Sequence, residues 1–151
     1  MKIPTTLPAA INTGLLIMLI LPTVTAQELT VRVSQIETSR QGQMMVMLFG
    51  KAGFPKDHSK ALSIQTQPVE TGVDNMEFRF THAPVVFAVK VLHDEDLNGK
   101  VTKNWTGIWP AEGLGFSNAA RVSLTGPPSF KQARLTRSDT SNAIDIPLIY
   151  P

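Results

Sequence analysis

What constrains this chain most is a two-residue rhythm of apolar side chains. Leu29, Val31 and Val33 alternate with Thr30, Arg32 and Ser34, and Met76, Phe78 and Phe80 alternate with Glu77, Arg79 and Thr81. Successive side chains of a strand point to opposite faces, so this alternation predicts half-buried strands. Met44 to Phe49 is apolar throughout and reads as a central strand covered on both sides. In the run Val85 to Leu92, Val85, Phe87, Val89 and Val91 share one face. Val86, Ala88, Lys90 and Leu92 share the other, which Lys90 marks as the wetter one. His93 then falls on the core side at the strand's end. Ala61 to Val69 is a weaker strand pattern, and Arg121 to Leu124 a brief extended piece. Ser129 to Thr136 and Ala143 to Tyr150 read as two final strands around the Asp139–Asn142 turn. Pro147 puts the last strand at a sheet edge. A short helix fits near Pro55-Lys56-Asp57, inside the Gly50–Ser59 loop. No segment carries the period of an amphipathic helix. About seven strands between turn signals predict an all-β chain, folded as a single β-sandwich with one long, functional-looking loop.

The first 26 residues read differently. Lys2 is their only charge, Gly14 to Leu21 is an apolar run, and Val24-Thr25-Ala26 offers small residues before a cut. A basic start, a short apolar core and small residues describe a secretory signal peptide. The run is far shorter than the roughly 20 residues a membrane-spanning helix needs. Cleavage after Ala26 would leave residues 27–151 as one β-sandwich domain, exported to the periplasm or secreted, with no stable membrane span. Loss of Lys2 takes the 14 basic residues to 13 against 12 acidic ones, a net charge of +1. That balance gives no basic excess for nucleic acid. The chain has no cysteine, so neither a disulfide framework nor thiol chemistry is expected, and a lipid-anchored lipoprotein is excluded. The expected state is a monomer.

Candidate chemistry collects between His93 and Asn118. Long aperiodic loops in small domains are usually functional, and this one is too aromatic for a disordered segment. Asp94-x-Asp96-x-Asn98-Gly99-Lys100 matches the first half of a calcium loop. Calcium takes six to eight hard oxygens, and alternate acidic side chains converge where a glycine lets the chain turn. The ligands would be Asp94, Asp96, Asn98 and the Lys100 carbonyl. The twelfth position, normally a bidentate Glu, is Trp105, so this is not an EF-hand. Asn104 or Glu112 would close the shell only if the loop folds back. The alternative is an Asx-rich turn whose side chains cap their own backbone. Trp105, Trp109 and Phe116 either form a ligand platform or pin the loop to the sandwich, and pinning is favoured because a long loop needs anchors. His93 with Ser117, in Gly115-Phe116-Ser117-Asn118-Ala119, invites a hydrolase reading. The elbow motif needs a strand before it and a helix after it, and neither is expected here.

The motifs His93-Asp94-x-Asp96-x-Asn98-Gly99-Lys100, Asn104, Gly107-Ile108, Glu112-Gly113-x-Gly115-Phe116-Ser117-Asn118 and Gly126-Pro127-Pro128-Ser129-Phe130 resemble domain-of-unknown-function family 2141. These are small exported bacterial proteins. The resemblance spans nearly all of the chain after residue 26. It implies an immunoglobulin-like or prealbumin-like sandwich and carries no established activity. Thr102 stands where the family has an acidic residue, and Leu114 where it tends to have Tyr. The expected function is a non-enzymatic binding or accessory module of the cell envelope. Its site for an envelope partner or small ligand would comprise His93, Trp105, Trp109, Glu112, Phe116, Ser117 and Asn118. Two rivals stand beside it: a calcium-stabilised accessory domain, calcium being the one cofactor considered, and a hydrolase using Ser117 and His93.

Overall fold

The computed structural model describes residues 28–138 and 140–151. The leader predicted over Met1–Ala26 lies outside them, as does Asp139 of the predicted Asp139–Asn142 turn. Eight strands form two sheets. In the first, β1 (Leu29–Ser34) lies between β4 (Met76–Phe80) and β8 (Ala143–Pro147), antiparallel to β4 and parallel to β8. Pro147 sits on the edge strand, where its missing N–H breaks no ladder.

The second sheet runs β3 (Ser63–Pro68), β2 (Gln43–Phe49), β5 (Val86–Asp94), β6 (Leu114–Phe116), all antiparallel. The two-residue β7 (Leu135–Thr136) pairs with the start of β5. The sheets pack face to face. Leu29, Val31 and Val33 meet Met44, Val46, Leu48, Phe87, Val89 and Val91, with Phe78 and Ile146. Each fully buried side chain of this kind contributes roughly 1.5–3 kcal/mol relative to exposure.

The outer face of the second sheet is also covered. Met45, Met47, Phe49, Leu92, Leu114 and Phe116 form a second cluster, packed by Phe54, Val101 and Val122. The rings of Phe49, Phe116 and Phe130 stand edge-on to Phe54 at 5.5, 6.2 and 6.0 Å, the orientation the aromatic quadrupole favours. β2 is therefore buried on both sides, as its unbroken apolar run predicts. The wet second face expected for β5 does not exist: Lys90 is only 3% exposed. Val85, placed in the core by its parity, lies outside the strand and in solvent.

Three other local expectations are corrected. Ser129 to Thr136 is not one strand. Its first half is the helical turn α1 (Phe130–Ala133), where the Gln132 side chain accepts from the Ser129 N–H at 2.8 Å. Arg121 to Leu124 runs into the tight turn Ser123–Gly126, whose two ends pair with each other. The helical piece expected at Pro55–Asp57 is a 3-10 turn one step later, His58–Lys60, capped by the Asp57 carboxylate on the Ser59 N–H at 3.1 Å.

Candidate functional site

The loop after β5 is built, not slack. Asp94 ends the strand fully buried. Its Oδ1 accepts from Asn98 N–H at 3.0 Å, and its Oδ2 from Gly99 N–H at 2.9 Å and Gln43 Nε2 at 2.7 Å. Gly99 takes φ +72°, a left-handed conformation that glycine adopts without strain. Asp96 accepts from Asn98 N–H at 3.1 Å, from Asn98 Nδ2 at 2.7 Å and from the Thr102 hydroxyl at 2.6 Å. The Thr102 bond does most to hold the Asp96 carboxyl below its ordinary range. Asn98 Oδ1 accepts the Lys100 N–H at 2.7 Å. This is the Asx-rich turn, each side chain capping nearby backbone.

Beyond it the chain does fold back. Thr102 to Ala111 forms a narrow finger, closed by Ala111 N–H to Thr102 O, Asn104 N–H to Trp109 O and Gly107 N–H to Asn104 O, each at 2.8 Å. At its root, buried Glu112 accepts from Glu95 N–H at 3.0 Å and Thr102 N–H at 2.8 Å. It ties the two arms together. Burial pushes the Glu112 carboxyl above its ordinary range, and nearby Asp96 and Asp94 add to this. Carboxylate oxygens of Asp94, Asp96 and Glu112 come within 4.8 Å of one another. Glu112 is thus the third carboxylate of this cluster, while Asn104 turns its side chain to Thr106 instead.

His93 is fully buried on the core side. Its Nε2 lies 3.2 Å from the Gln41 carbonyl, which only accepts, so Nε2 carries the proton. In the neutral ring Nδ1 then accepts from the Tyr150 hydroxyl at 2.8 Å, and that oxygen accepts from Glu37 N–H at 3.1 Å. Burial lowers the His93 pKa and raises that of Tyr150 to about 12, so both stay neutral. Gly113 makes room for the Tyr150 ring: a Cβ there would stand 2.5 Å from the ring carbon Cε1. Arg40 lies over the Tyr150 ring at 4.9 Å and bonds Glu95 at 2.8 Å.

The remaining predicted residues divide. Phe116 is buried in the second cluster and does pin the loop. Ser117 is buried, its hydroxyl donating to Ala133 O at 2.6 Å and accepting from Val89 N–H at 2.8 Å. It sits beside Val89, four strand residues and thus roughly 13 Å along β5 from His93. Asn118 holds α1 through Gln132 O at 2.8 Å. Trp105 does not pin, and Trp109 is more than half covered. Trp105 is 96% exposed at the finger's tip, Ile108 is 68% exposed, and Trp109 is partly exposed beside them. A cavity of about 550 Å³ brings Trp109, Glu112 and Phe116 together against Tyr150.

The pair Lys90–His58 gave no sequence signal, because its members lie on different segments. Lys90 Nζ donates to Pro55 O at 3.0 Å and to His58 Nε2 at 2.7 Å, while His58 Nδ1 donates to Gly99 O at 3.0 Å. Desolvation lowers the pKa of both, that of Lys90 to about 8.

A family described as "Uncharacterized protein conserved in bacteria (DUF2141)" matches residues 31–145. The chain belongs to this family. The matched span of this DUF2141 domain runs from β1 into β8, so it takes in both sheets and the whole finger. Comparison with curated proteins and with solved structures gives no match.

Proposed function

We propose that the protein is an exported, non-enzymatic binding module of the cell envelope, with the exposed tip of the finger as its contact surface. The observation that carries this reading is Trp105. The finger is held by backbone pairs and by the buried Glu112 at its root, yet it presents Trp105, Ile108 and Trp109 to water. An aromatic side chain of this kind removes about 150–250 Å² from water when a partner covers it. Tryptophan is over-represented among the residues that dominate binding energy at interfaces. Export rests on the basic start, apolar run and small residues of Met1–Ala26. Ser117 offers the hydrolase alternative no support, since its hydroxyl already serves two backbone groups.

Trp105 and Trp109 are the chain's 2 tryptophans. Labelling with 5-fluorotryptophan therefore gives two fluorine resonances, both on this surface. Titration with envelope extract, separated into protein and lipid fractions, should move the Trp105 resonance with one fraction. Trp105→Ser should abolish capture from that fraction and leave the fold unchanged. Two resonances that ignore both fractions would defeat the proposal.

The convergence of Asp94, Asp96 and Glu112 favours a second reading, a calcium-stabilised loop. An ion there would offset the mutual repulsion of three carboxylates, and Asn98 and the Lys100 carbonyl are the further oxygens that the sequence offers. The same carboxylates already accept N–H and O–H donors, so the ion competes with bonds that hold the turn without it. Affinity on the order of 10⁻⁴ to 10⁻³ M is expected, as in extracellular modules. Calcium at about 1 mM would then stabilise by about 0.4–1.4 kcal/mol. Thermal melts in calcium and in magnesium test this. Asp94→Asn with Asp96→Asn should erase a calcium-specific rise, and melts equally unmoved by both ions would leave only the turn.

A further inference from the structure

We propose that the cavity over Lys90 is a binding site for a small carboxylate with a short apolar body. The cavity measures about 700 Å³, a size that suits a small molecule. Its floor is Lys90, on the outer face of β5, and the Pro55–Ser59 segment closes one side. Val101, Leu114, Phe116 and Val122 supply apolar wall, and the exposed Lys56, Lys100 and Lys103 lie at its margin.

The lysine is the reason to expect an anion. An ammonium has three N–H donors. Two of them reach Pro55 O and His58 Nε2, both neutral acceptors. Among the described residues, no carboxylate bonds Lys90, Glu112 acting on it only through its field, and its third N–H has no protein acceptor. Asp57, the one acidic residue of the lining, is engaged with the Ser59 hydroxyl at 2.6 Å. A buried cation without a bonded anion is costly, and an anion brought by a ligand removes that cost. The tautomer of His58 points the same way. With Nδ1–H fixed on Gly99 O, Nε2 accepts from Lys90 and steers the ammonium.

The head group follows from the donor set. At the floor, one ammonium with one open N–H and no guanidinium suits a singly charged carboxylate, and Lys56, Lys100 and Lys103 stand exposed at the margin, away from that N–H. A phosphate dianion wants several convergent donors, which this floor does not offer. The apolar walls call for a hydrocarbon or aromatic body behind the head. Ile108 and Pro110 of the finger also line this cavity, so it shares Ile108 with the finger's contact surface, whereas Trp105 at the tip is not in its lining.

Isothermal titration of the folded protein with octanoate, 1-octanol and inorganic phosphate tests the assignment. Octanoate should bind one to one, and octanol at least about tenfold more weakly. Phosphate should not compete. Lys90→Gln keeps a donor and loses the charge, so octanoate should weaken by about tenfold or more, to the level of octanol. Should that variant not fold, Val122→Phe fills the cavity from its wall and should lose both ligands. The fluorine resonance of Trp105 should stay in place as octanoate binds, which keeps this site distinct from the tip. The assignment falls if wild type binds no octanoate, or binds octanol equally well. It falls equally if phosphate competes, if Lys90→Gln binds octanoate like wild type, or if Val122→Phe retains it.

Discussion

Raising the pH from about 7 to about 9.5 should stabilise this protein by about 2 kcal/mol, and Lys90 is the cause. Desolvation lowers the pKa of its ammonium from 10.5 to about 8. In the unfolded chain the same group holds its proton until about 10.4. Between those values the unfolded state binds more protons than the folded one, so stability rises with pH. The difference amounts to about 3 kcal/mol when complete, and roughly two thirds of it falls inside the stated window. Burial lowers the pKa of His58 and His93, so they titrate below the window. Tyr150, raised to about 12, opposes the trend only above its unfolded value near 10. Urea denaturation at several pH values between these limits is the assay. Lys90→Met should flatten the profile. At neutral pH that variant escapes the ammonium's desolvation but leaves Pro55 O short of a donor, at about 1–3 kcal/mol. It should therefore lie close to wild type at neutral pH and fall behind it at the alkaline end. A wild-type profile that is flat or declining, or a Lys90→Met protein that keeps the rise, would refute the reasoning.

Other consequences are as direct. Tyr150→Phe should cost about 1–3 kcal/mol in urea denaturation, because His93 Nδ1 and Glu37 N–H both lose their partner. Glu112→Gln should quicken hydrogen exchange at the Glu95 and Thr102 amides and leave the exchange of β2 and β5 unchanged. Ser117→Ala should destabilise by about 1–3 kcal/mol while a serine-reactive probe fails to label the wild type, the pattern of a structural hydroxyl. Protein purified from the envelope should begin at Gln27, and an intact mass that still includes Met1–Ala26 would refute export by a cleaved leader.

The sandwich was legible wherever one strand face meets the core and the other meets water. Leu29–Val33 and Met76–Phe80 show that alternation, and their registers follow it. β5 was half legible. Lys90 looks like a surface marker in a one-dimensional pattern, but the segment around Phe54 and Pro55 packs over it, and no local pattern records that cover. β6 was missed because three residues flanked by Gly113 and containing Gly115 are too short for a period. α1 did carry a signal, since Ser129 and Gln132 have capping-box spacing. In the loop, the Asx turn was readable from Asp94-x-Asp96-x-Asn98-Gly99. The junction of Glu112 with those acids was not, because it depends on how the finger closes. Trp105 was misread as an anchor: its side chain type suits a core, but its place between Asn104 and Gly107 is the outside of a tight turn.

The parallel pairing of β1 with β8 has a kinetic consequence. β1 is the first described strand and β8 the last, with Thr30 opposite Ala143. Until residues 143–147 are available, β1 can dock β4 on one side only, and its other edge offers unpaired N–H and C=O groups. Closure of so long a span slows folding, because loop entropy must be overcome before the contact forms. A chain emerging from its N-terminal end would therefore stay incomplete until its last strand is free. Its most vulnerable species in that interval is one with the β1 edge open to a second copy, so refolding yield should fall as protein concentration rises.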